Sequence, residues 1–424
     1  MLYAFKLGKS ETLSIAELAT VFGKESINLQ VNGNVLIESE QEITTDVLNR
    51  LGGTMKISEV FGEFKKTELV ETITEIILEK MDIERKVTFA INIYPLAYKV
   101  KKTLKFLTKN VKNELKQHGA KSRFLNKLSG DIAHNIEGIQ SKKEILEKDN
   151  TIEINLIQRP SSNPNDDTHT YFLSILIANQ DIEGYSRRDY ERPFRDTFNG
   201  MLPPKLSQIL INLAKPKAHS VIIDPFCGSG GVLIEALLMG YSVQGSDINP
   251  RMITHTEGNL KWLESSFTLP PLKKNIFVHD ATSPFPKREK EAIIATEGYL
   301  GPPLKSAPKE ETIHNNFQEI TTLYLKFFKT LYKTYEKATI AICIPNYLQK
   351  GRPHPLSQKK VDKLIQKIES LGFHCVPLSN TKPSINSYLY SRPDQLVGRE
   401  IVVFSKDKEP KQPDKRATQP SRKS

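Results

Sequence analysis

Residues 221–250 constrain the fold of this chain most strongly, because they follow the pattern strand, glycine turn, helix, strand. Val221 to Ile223 form a short apolar run typical of a central parallel strand buried on both faces, and Asp224 ends it. The glycines of the next turn let the backbone bend sharply and let a ligand approach where a Cβ would clash. Asp247 ends the second strand, 23 residues after Asp224. That spacing is close to the roughly 20-residue offset at which a carboxylate meets ribose hydroxyls in Rossmann-type sites. The segment therefore predicts two carboxylates at one crevice, and an ordinary βαβ turn without a ligand is the alternative.

The turn lacks the GxGxxG pattern of dinucleotide-binding folds. Its sequence Asp-Pro-Phe-Cys-Gly-Ser-Gly-Gly instead resembles the S-adenosylmethionine turn of class I methyltransferases. By that resemblance Asp224, Gly228 and Gly230 would lie along the methionine part of S-adenosylmethionine. Asp247 would bind the ribose, and Asp280 would hold the adenine amino group. The complete set of cofactor-binding residues that we predict is Asp224, Phe226, Gly228, Gly230, Asp247, Ile248 and Asp280.

Length and charge limit the classes of partner. A chain of 424 residues is too long for one typical core and suggests two or three domains. The net charge of +11 fits a polyanion better than a small acidic metabolite. The three cysteines form no CxxC pair, so we expect neither a metal site nor disulfides. No apolar run reaches about 18 residues and the N-terminus lacks a signal-peptide core, so we expect a cytoplasmic protein without a membrane span.

The first 180 residues predict two α+β modules, over residues 1–62 and 63–180. The second contains a predicted helix from Leu96 to His118, within a segment (98–127) that holds ten Lys or Arg against the single acid Glu114. An apolar stripe along this helix would pack against the module while the basic face meets phosphate. A solvated helix face is the alternative. The substrate contacts predicted here are Lys101, Lys102, Lys105 and Lys109.

Residues 181–205 are predicted to form an irregular, arginine-rich hinge. We predict that Arg187 and Arg188 contact the substrate, and pairing of the hinge arginines with nearby acids is the alternative. A helix from Leu206 to Leu213 should follow, with the preceding Pro-Pro fixing its entry.

From residue 206 to 406 the pattern alternates between strand and helix. Strands are predicted near residues 220, 242, 276, 292, 339 and 399. This alternation predicts an α/β fold with a doubly wound, Rossmann-like parallel sheet. The aromatic residues from Phe317 to Tyr335 have helical spacing and are predicted to be core. The tail 407–424 is polar and basic, without apolar anchors, and is predicted to be disordered.

Four motifs resemble the THUMP-domain tRNA (guanine-10) N2-methyltransferases. They are the opening LYAFKLGKSETLSIAEL, the hinge YSRRDYERPFRD with GMLPPKL, the turn DPFCGSGG with GSDINPRM, and the closing RPDQLVGREIVVF. The resemblance implies a ferredoxin-like module at residues 1–62, a THUMP-like RNA-binding domain at 63–180 and a methyltransferase domain at 206–406. It also implies S-adenosylmethionine as cofactor and tRNA as partner. Related eukaryotic enzymes use a small activating subunit, and no feature of this sequence indicates one.

One motif departs from that family. Members carry Asp or Asn followed by Pro-Pro-Tyr after the fourth strand, whereas this chain has Thr296-Glu297-Gly298-Tyr299. The exocyclic amine of guanine is a poor nucleophile, so the site must orient it and accept its hydrogens. We predict that Glu297 supplies the acceptor oxygen from a longer side chain and that Tyr299 stacks on the flipped base. The alternative is a Glu297 that only caps a loop.

The sequence leaves two other functions open. An amino-methyltransferase acting on DNA or ribosomal RNA would use the same cofactor turn. A catalytically silent RNA-binding protein would keep the fold and bind tRNA without methyl transfer. The number of methyl groups added is not predicted.

Overall fold

The computed structural model describes residues 1–95, 100–125, 150–160, 169–195, 201–286, 290–378, 386–392 and 395–407. Within these ranges the chain forms two large β-sheets, one from each half of the sequence. No helix in the described ranges is both long and apolar enough to cross a membrane.

The first sheet is built by residues before position 180. Its strands are β1 (Leu2–Leu7), β2 (Ile27–Val31), β3 (Asn34–Glu38), β4 (Thr54–Lys65), β5 (Val87–Tyr94), β6 (Ser122–Phe124), β7 (Thr151–Gln158) and β8 (Thr170–Asn179). They lie in the order β2-β3-β1-β4-β8-β7-β5-β6. The antiparallel pairing of β4 with β8 joins the two predicted modules into one continuous sheet. The module boundary predicted at residue 62 therefore falls inside β4.

The helices of this half are α1 (Glu11–Phe22), α2 (Thr45–Asn49), α3 (Leu69–Lys80) and α4 (Val100–Gln117). The apolar stripe of α4, which includes Leu104, Leu107 and Val111, is buried with α3 against β5 and β7. This burial confirms the packing face predicted for the basic helix. The predicted start of that helix, residues 96–99, lies outside the described residues.

Two helices connect the sheets, α5 (Ile182–Tyr190) and α6 (Pro204–Leu213). The prediction of an irregular hinge is wrong for α5. Asp181 caps this helix, because its Oδ1 accepts a hydrogen bond of 3.0 Å from the backbone N of Gly184. The sequence of α5 is rich in arginines and acids and has no apolar stripe, so its periodicity did not predict a helix. Pro204 at the start of α6 confirms the entry predicted from Pro-Pro.

The second sheet contains every strand predicted after residue 206. Its strands are β9 (Val221–Asp224), β10 (Ser242–Asp247), β11 (Lys274–Val278), β12 (Glu291–Thr296), β13 (Lys337–Gln349), β14 (Arg352–Pro353), β15 (His374–Cys375), β16 (Ser387–Tyr390) and β17 (Val397–Lys406). The order is β11-β10-β9-β12-β13-β17-β15, with β14 paired to β13 and β16 paired to β17.

Helices cover both faces of this sheet, which confirms the doubly wound fold. They are α7 (Gly231–Leu238), α8 (Pro250–Ser266), α9 (Glu310–Thr334) and α10 (Pro355–Glu369). Helices α6, α7 and α8 bury their apolar residues on one face, and α9 and α10 bury theirs on the other. The aromatic residues of α9, including Phe317 and Phe327, are core as predicted.

The second sheet is parallel from β9 to β13, as predicted, and antiparallel pairs occur at its other side. β9 to β13 are parallel, but β17 is antiparallel to β13 and also to β16. The chain between β16 and β17 is too short for the crossover that parallel neighbours need, so these two strands must pair antiparallel.

The two halves are docked through α1 and α6. Leu13 of α1 belongs to the same apolar cluster as Leu206 and Ile209 of α6. The buried carboxylate of Glu17 accepts hydrogen bonds from the backbone N atoms of Gly52 and Gly53, at 2.9 and 2.8 Å, and from Asn212 Nδ2 at 2.7 Å. Burial raises the pKa of Glu17 to about 7, although these three donors lower it. The contact fixes the position of the first sheet relative to the second.

Candidate active site

The site lies where the order of the second sheet reverses, between β9 and its neighbours β10 and β12. In open α/β sheets the loops that leave the carboxyl ends of the strands on either side of this point separate and form a crevice. The residues that end the three strands are Asp224, Asp247 and Thr296. The sheet thus brings the predicted cofactor carboxylates and the predicted catalytic loop to one edge.

Asp224 connects two strand ends. It is only 2% exposed, and its Oδ1 accepts hydrogen bonds from Thr296 Oγ1 at 2.7 Å and from the backbone N of Phe226 at 3.1 Å. Burial raises the pKa of Asp224 to about 7, against the lowering effect of these two donors. Asp224 therefore shapes the floor of the crevice and holds β9 against β12.

The glycine turn has the conformation that its sequence predicts. Gly228 and Gly230 both have positive φ, at 52° and 85°. No atom lies within 4 Å of the position that a Cβ on Gly228 would occupy, so this part of the turn borders open space. The turn is held by Thr256, whose Oγ1 donates to the carbonyl of Gly228 at 2.7 Å. Half-buried Phe226 packs edge-on against Phe327 at a ring distance of 5.2 Å and forms one wall beside the turn.

The ends of β10 and β11 suit a nucleoside. Asp247 is partly exposed, and its Oδ2 accepts a hydrogen bond of 3.1 Å from the backbone N of Gly228. Ile248 and Val278 are 67% and 51% exposed, unusual values for large apolar side chains. Asp280 follows β11, and its Oδ1 accepts from the backbone N of Thr282. A carboxylate beside two exposed aliphatic side chains and an open glycine turn fits the ribose and adenine of S-adenosylmethionine.

Glu297 is held by an arginine that lies about a hundred positions further along the chain. Its Oε1 lies 2.5 Å from Nε of Arg399, a buried residue of β17. Burial lowers the pKa of Arg399, but the attraction of Glu297 outweighs it and leaves that pKa raised. The charged pair fixes the Glu297 carboxylate at the end of β12, partly exposed beside the crevice.

Tyr299 is anchored at its hydroxyl. The phenol donates to Glu319 Oε1 of α9 at 2.9 Å, and Tyr324 Oη donates to the Tyr299 carbonyl at 3.0 Å. Burial, followed by the bond to Glu319, raises the pKa of Tyr299 to about 12. Its ring is therefore neutral and held in place at neutral pH.

Sequence reasoning missed Thr296 and Arg399 as parts of this site. Thr296 Oγ1 donates to Asp224 and also accepts from the backbone N of Gly298, so one hydroxyl joins the cofactor strand to the catalytic loop. Arg399 stands in the closing motif GREIVVF that contributed to the family resemblance, but only the pairing of β17 with β13 brings it to Glu297.

The hinge arginines differ in their environments. Arg188 is buried and its Nε lies 2.7 Å from Glu235 Oε1 of α7, which argues against the predicted contact with substrate. Arg187 is partly exposed, over the ring of Phe267 at 4.8 Å. Arg187 also pairs with Glu191, at 3.5 Å from Nε to Oε2, so the pairing alternative is correct for Arg187. It applies to Arg188 as well, although the partner of Arg188 is an acid distant in sequence.

On α4, Lys102, Lys105 and Lys109 are exposed and Lys101 is partly exposed. Phe106 lies among them and is 53% exposed. Proteins that bind single-stranded nucleic acids use this combination, because the exposed ring stacks on a base and the basic side chains neutralise phosphates. In the described part of the chain no three His, Cys, Asp or Glu side chains are grouped so as to hold a metal ion.

Two family models match the chain. One describes an RMKL-like methyltransferase domain and matches residues 192–344, and the other describes a DNA methylase and matches residues 41–258. The second match spans more than half of the chain. Both ranges contain the glycine turn and β10.

Curated relatives include tRNA (guanine(10)-N2)-dimethyltransferases of archaea. That of Methanothermobacter thermautotrophicus is 32% identical over 254 residues, which are 59% of this chain and 65% of the relative. That of Methanocaldococcus jannaschii is 40% identical over 95 residues, 22% of this chain and 26% of the relative. The chain thus spans less than two thirds of the length of either relative. Among solved structures, TrmN from Thermus thermophilus has 14% identity and a TM-score of 0.47, with 96% of this chain and 99% of TrmN covered.

Proposed function

We propose that this chain, which belongs to the class I S-adenosylmethionine-dependent methyltransferases, methylates the exocyclic N2 amine of a guanine in tRNA. The observation that carries the proposal is the position of Glu297 and Tyr299 directly after β12, beside the crevice formed by the glycine turn and Asp247. The archaeal relatives are named for N2-dimethylation of guanine in tRNA, which supports the same acceptor here.

The residues of this chain would provide orientation and a hydrogen-bond acceptor. Bound S-adenosylmethionine supplies an electrophilic methyl group on a sulfonium centre. The guanine amine is a weak nucleophile because its lone pair is delocalised into the ring. Its alignment with that methyl group therefore matters. The Glu297 carboxylate, held by Arg399, accepts a hydrogen bond from the amine, and the anchored ring of Tyr299 supports the flipped base. Transfer would form the bond from N2 to the methyl carbon as the bond from that carbon to sulfur breaks, with the electron pair left on the sulfur of S-adenosylhomocysteine. Glu297 would accept the one proton that the amine then loses.

Cofactor contacts are assigned by position in the crevice. Asp247 binds the ribose hydroxyls, Ile248 and Val278 flank the adenine, and Asp280 accepts from the adenine amino group. Gly228 and Gly230 let the methionine part lie against the turn. Asp224 contributes by shaping the turn, since its carboxylate is already bound to Thr296 and the backbone.

The first sheet would bind the RNA. The exposed lysines of α4, with Phe106 among them, form a surface that we call the α4 basic face, defined by Lys102, Lys105, Lys109 and Phe106. Its charge suits a phosphate backbone. In this proposal residues 1–62 are ferredoxin-like and residues 63–180 are THUMP-like, although they share one sheet through β4 and β8.

The proposal is tested by offering the purified chain labelled S-adenosylmethionine with unmodified tRNA, ribosomal RNA or duplex DNA. We expect label in tRNA at a rate well above that in the other two acceptors. Label in DNA alone would contradict the proposal. It would instead favour the second candidate, an amino-methyltransferase of DNA, for which the specific support is the match to the DNA methylase model.

A further inference from the structure

The segment that precedes the second sheet contains a buried arginine that forms no direct ion pair with a carboxylate of the described residues. Arg192 is only 5% exposed. In the described part of the chain it forms no ion pair with a carboxylate, and its buried Nε has no hydrogen-bond partner. A hydrogen bond of 2.8 Å runs from its Nη2 to the sulfur of Met201, which is a weak acceptor. A buried cation held only in this way is unfavourable unless an anion joins it.

Arg192 lies beside the glycine turn. A Cβ built on Gly231, the first residue of α7, would be 3.5 Å from Arg192 Nη1. Burial lowers the pKa of Arg192, and the charges of Asp189, Glu235 and, more weakly, Glu297 oppose this effect without a direct ion pair. The guanidinium therefore lies against the start of α7.

The start of α7 also lacks an anion among the described residues. Its N-cap residue is Gly230, which offers no side-chain hydrogen bond, and its first turn contains no acidic residue. The first backbone N–H groups of a helix carry partial positive charge and bind anionic groups well. Two independent positive groups, the helix start and Arg192, thus meet at one place next to the cofactor turn.

This geometry is fixed by Asn259 of α8. Its Nδ2 donates to the carbonyls of Phe194 and Ser229, both at 2.8 Å, and its Oδ1 accepts from the backbone N of Phe194 at 2.9 Å. One side chain therefore ties the segment that carries Arg192 to the glycine turn. Phe194 also stacks on His255 of α8 at 4.7 Å.

We infer that Arg192 and the start of α7 form an anion subsite that takes the α-carboxylate of the cofactor's amino-acid part. The inference deepens the proposed function and rests on its cofactor assignment. An RNA phosphate is the other source of a suitable anion, but the site is buried and adjoins the glycine turn, where the methionine part of the cofactor is placed. A guanidinium forms paired hydrogen bonds with a carboxylate, which gives the contact direction as well as charge.

The test compares two ligands that differ in the proposed contact. S-adenosylhomocysteine carries the α-carboxylate, and 5′-methylthioadenosine has the same nucleoside and sulfur without it. Calorimetric titration of Arg192→Met should show S-adenosylhomocysteine bound on the order of 10- to 100-fold more weakly, as expected for loss of a charged hydrogen-bond partner. Binding of 5′-methylthioadenosine should change by less than about twofold. Arg195→Met, an exposed arginine of the same segment, is the matched control and should leave both affinities unchanged.

Three results would overturn the inference. One is unchanged affinity of Arg192→Met for S-adenosylhomocysteine. Another is equal weakening of both ligands, which would give Arg192 a role in the shape of the turn. The third is a loss of tRNA affinity alone, which would make the anion a phosphate of RNA. None of these measurements requires methyl transfer, so failure of the proposed tRNA activity is detected separately.

Thermal unfolding provides a second readout. Because Arg192→Met removes a buried charge, the ligand-free variant should unfold at or above the temperature of the parent, while S-adenosylhomocysteine should raise that temperature less. Arg192→Lys retains a cation without the planar fork, so we expect an intermediate affinity for S-adenosylhomocysteine. A ligand-free Arg192→Met protein that unfolds at a lower temperature, with an unchanged shift on ligand addition, would contradict the inference.

Discussion

In the proposed function Glu297 takes the role of the shorter acid or amide in the family motif, and its ion pair with Arg399 would compensate for the longer side chain. A longer side chain has more rotamers, so an unpaired glutamate would hold its oxygens less well. The contact of 2.5 Å with Arg399 restricts it to one geometry. The departure from the family motif is therefore coupled to a residue in another strand.

Substitution of Glu297 tests this role. Glu297→Ala should lower kcat by on the order of 100-fold or more, the range expected when a positioned proton acceptor is removed, with the affinity for S-adenosylhomocysteine unchanged. Glu297→Gln keeps an acceptor oxygen and should retain more activity than the alanine variant. Glu291→Gln, at the exposed start of the same strand, is the control and should behave as the parent. Full turnover by Glu297→Ala in steady-state assays would refute the assigned role.

Asp224 gives stability a pH dependence of defined sign. Its folded pKa of about 7 is above the ordinary value of 3.8, so the folded state binds more protons between those two values. The free energy of unfolding therefore decreases as the pH rises through this interval. Asp224→Asn has no proton to lose at this position, so its free energy of unfolding lacks this decrease. The difference in the free energy of unfolding, variant minus parent, should therefore rise by about 1–3 kcal/mol from pH 5 to pH 8, given about 1.4 kcal/mol per pKa unit. Urea unfolding at the two pH values measures this, and an equal decrease in both proteins would contradict it.

At the level of elements, much of the second half follows from its sequence pattern. Alternating apolar strands and amphipathic helices predicted the sheet, and strand ends followed by Asp224, Asp247 and Glu297 predicted its edge. Local periodicity does not encode pairings made across the sheet. For this reason the antiparallel β17 and the contact of Arg399 with Glu297 required the three-dimensional structure.

The hinge shows a second limit of sequence reasoning. The sequence offered pairing of its arginines with neighbouring acids as the alternative to substrate contact, and Arg187 does pair with Glu191. In the structure Arg188 instead pairs with Glu235 of α7, and Arg192 lies buried at the glycine turn without a carboxylate partner among the described residues. Whether a hinge arginine contacts substrate or pairs inside the protein depends on its burial. Burial in turn depends on how the segment packs against α8, which the amino-acid composition does not predict.

The α4 basic face should contribute to RNA affinity through phosphate charge. Replacing Lys102, Lys105 and Lys109 together with glutamine should weaken tRNA binding and lower the slope of log affinity against log salt by up to about 2–3, at roughly 0.7–0.9 for each phosphate that is no longer neutralised. The control replaces three exposed lysines of α10, which are Lys359, Lys363 and Lys367. Filter binding over a salt series distinguishes the two, and an equal slope in both variants would contradict an RNA-binding role for α4.

Across the whole molecule, the two sheets are connected by buried polar contacts as well as by the chain. The single carboxylate of Glu17 satisfies two backbone donors of the first half and Asn212 of α6. A fixed junction keeps the α4 basic face at a set distance from the crevice.

Removal of the Glu17 carboxylate should weaken the contact between the two halves of the chain. Glu17→Ala leaves three buried donors without this acceptor, so we expect a decrease of at least about 2 kcal/mol in the free energy of unfolding. Guanidinium denaturation measures this, with exposed Glu25→Ala as the control, expected within about 0.5 kcal/mol of the parent. A Glu17→Ala protein as stable as its parent would show that the junction depends on apolar packing alone.

The identity of the methylated nucleoside tests the central claim most directly. Unmodified tRNA is incubated with the chain and S-adenosylmethionine, digested to nucleosides and analysed by mass spectrometry. We predict N2-methylguanosine or its N2,N2-dimethyl form, absent with Glu297→Ala. A methylated adenine or cytosine, or no methylated nucleoside while S-adenosylhomocysteine still binds, would contradict methylation of a guanine amine.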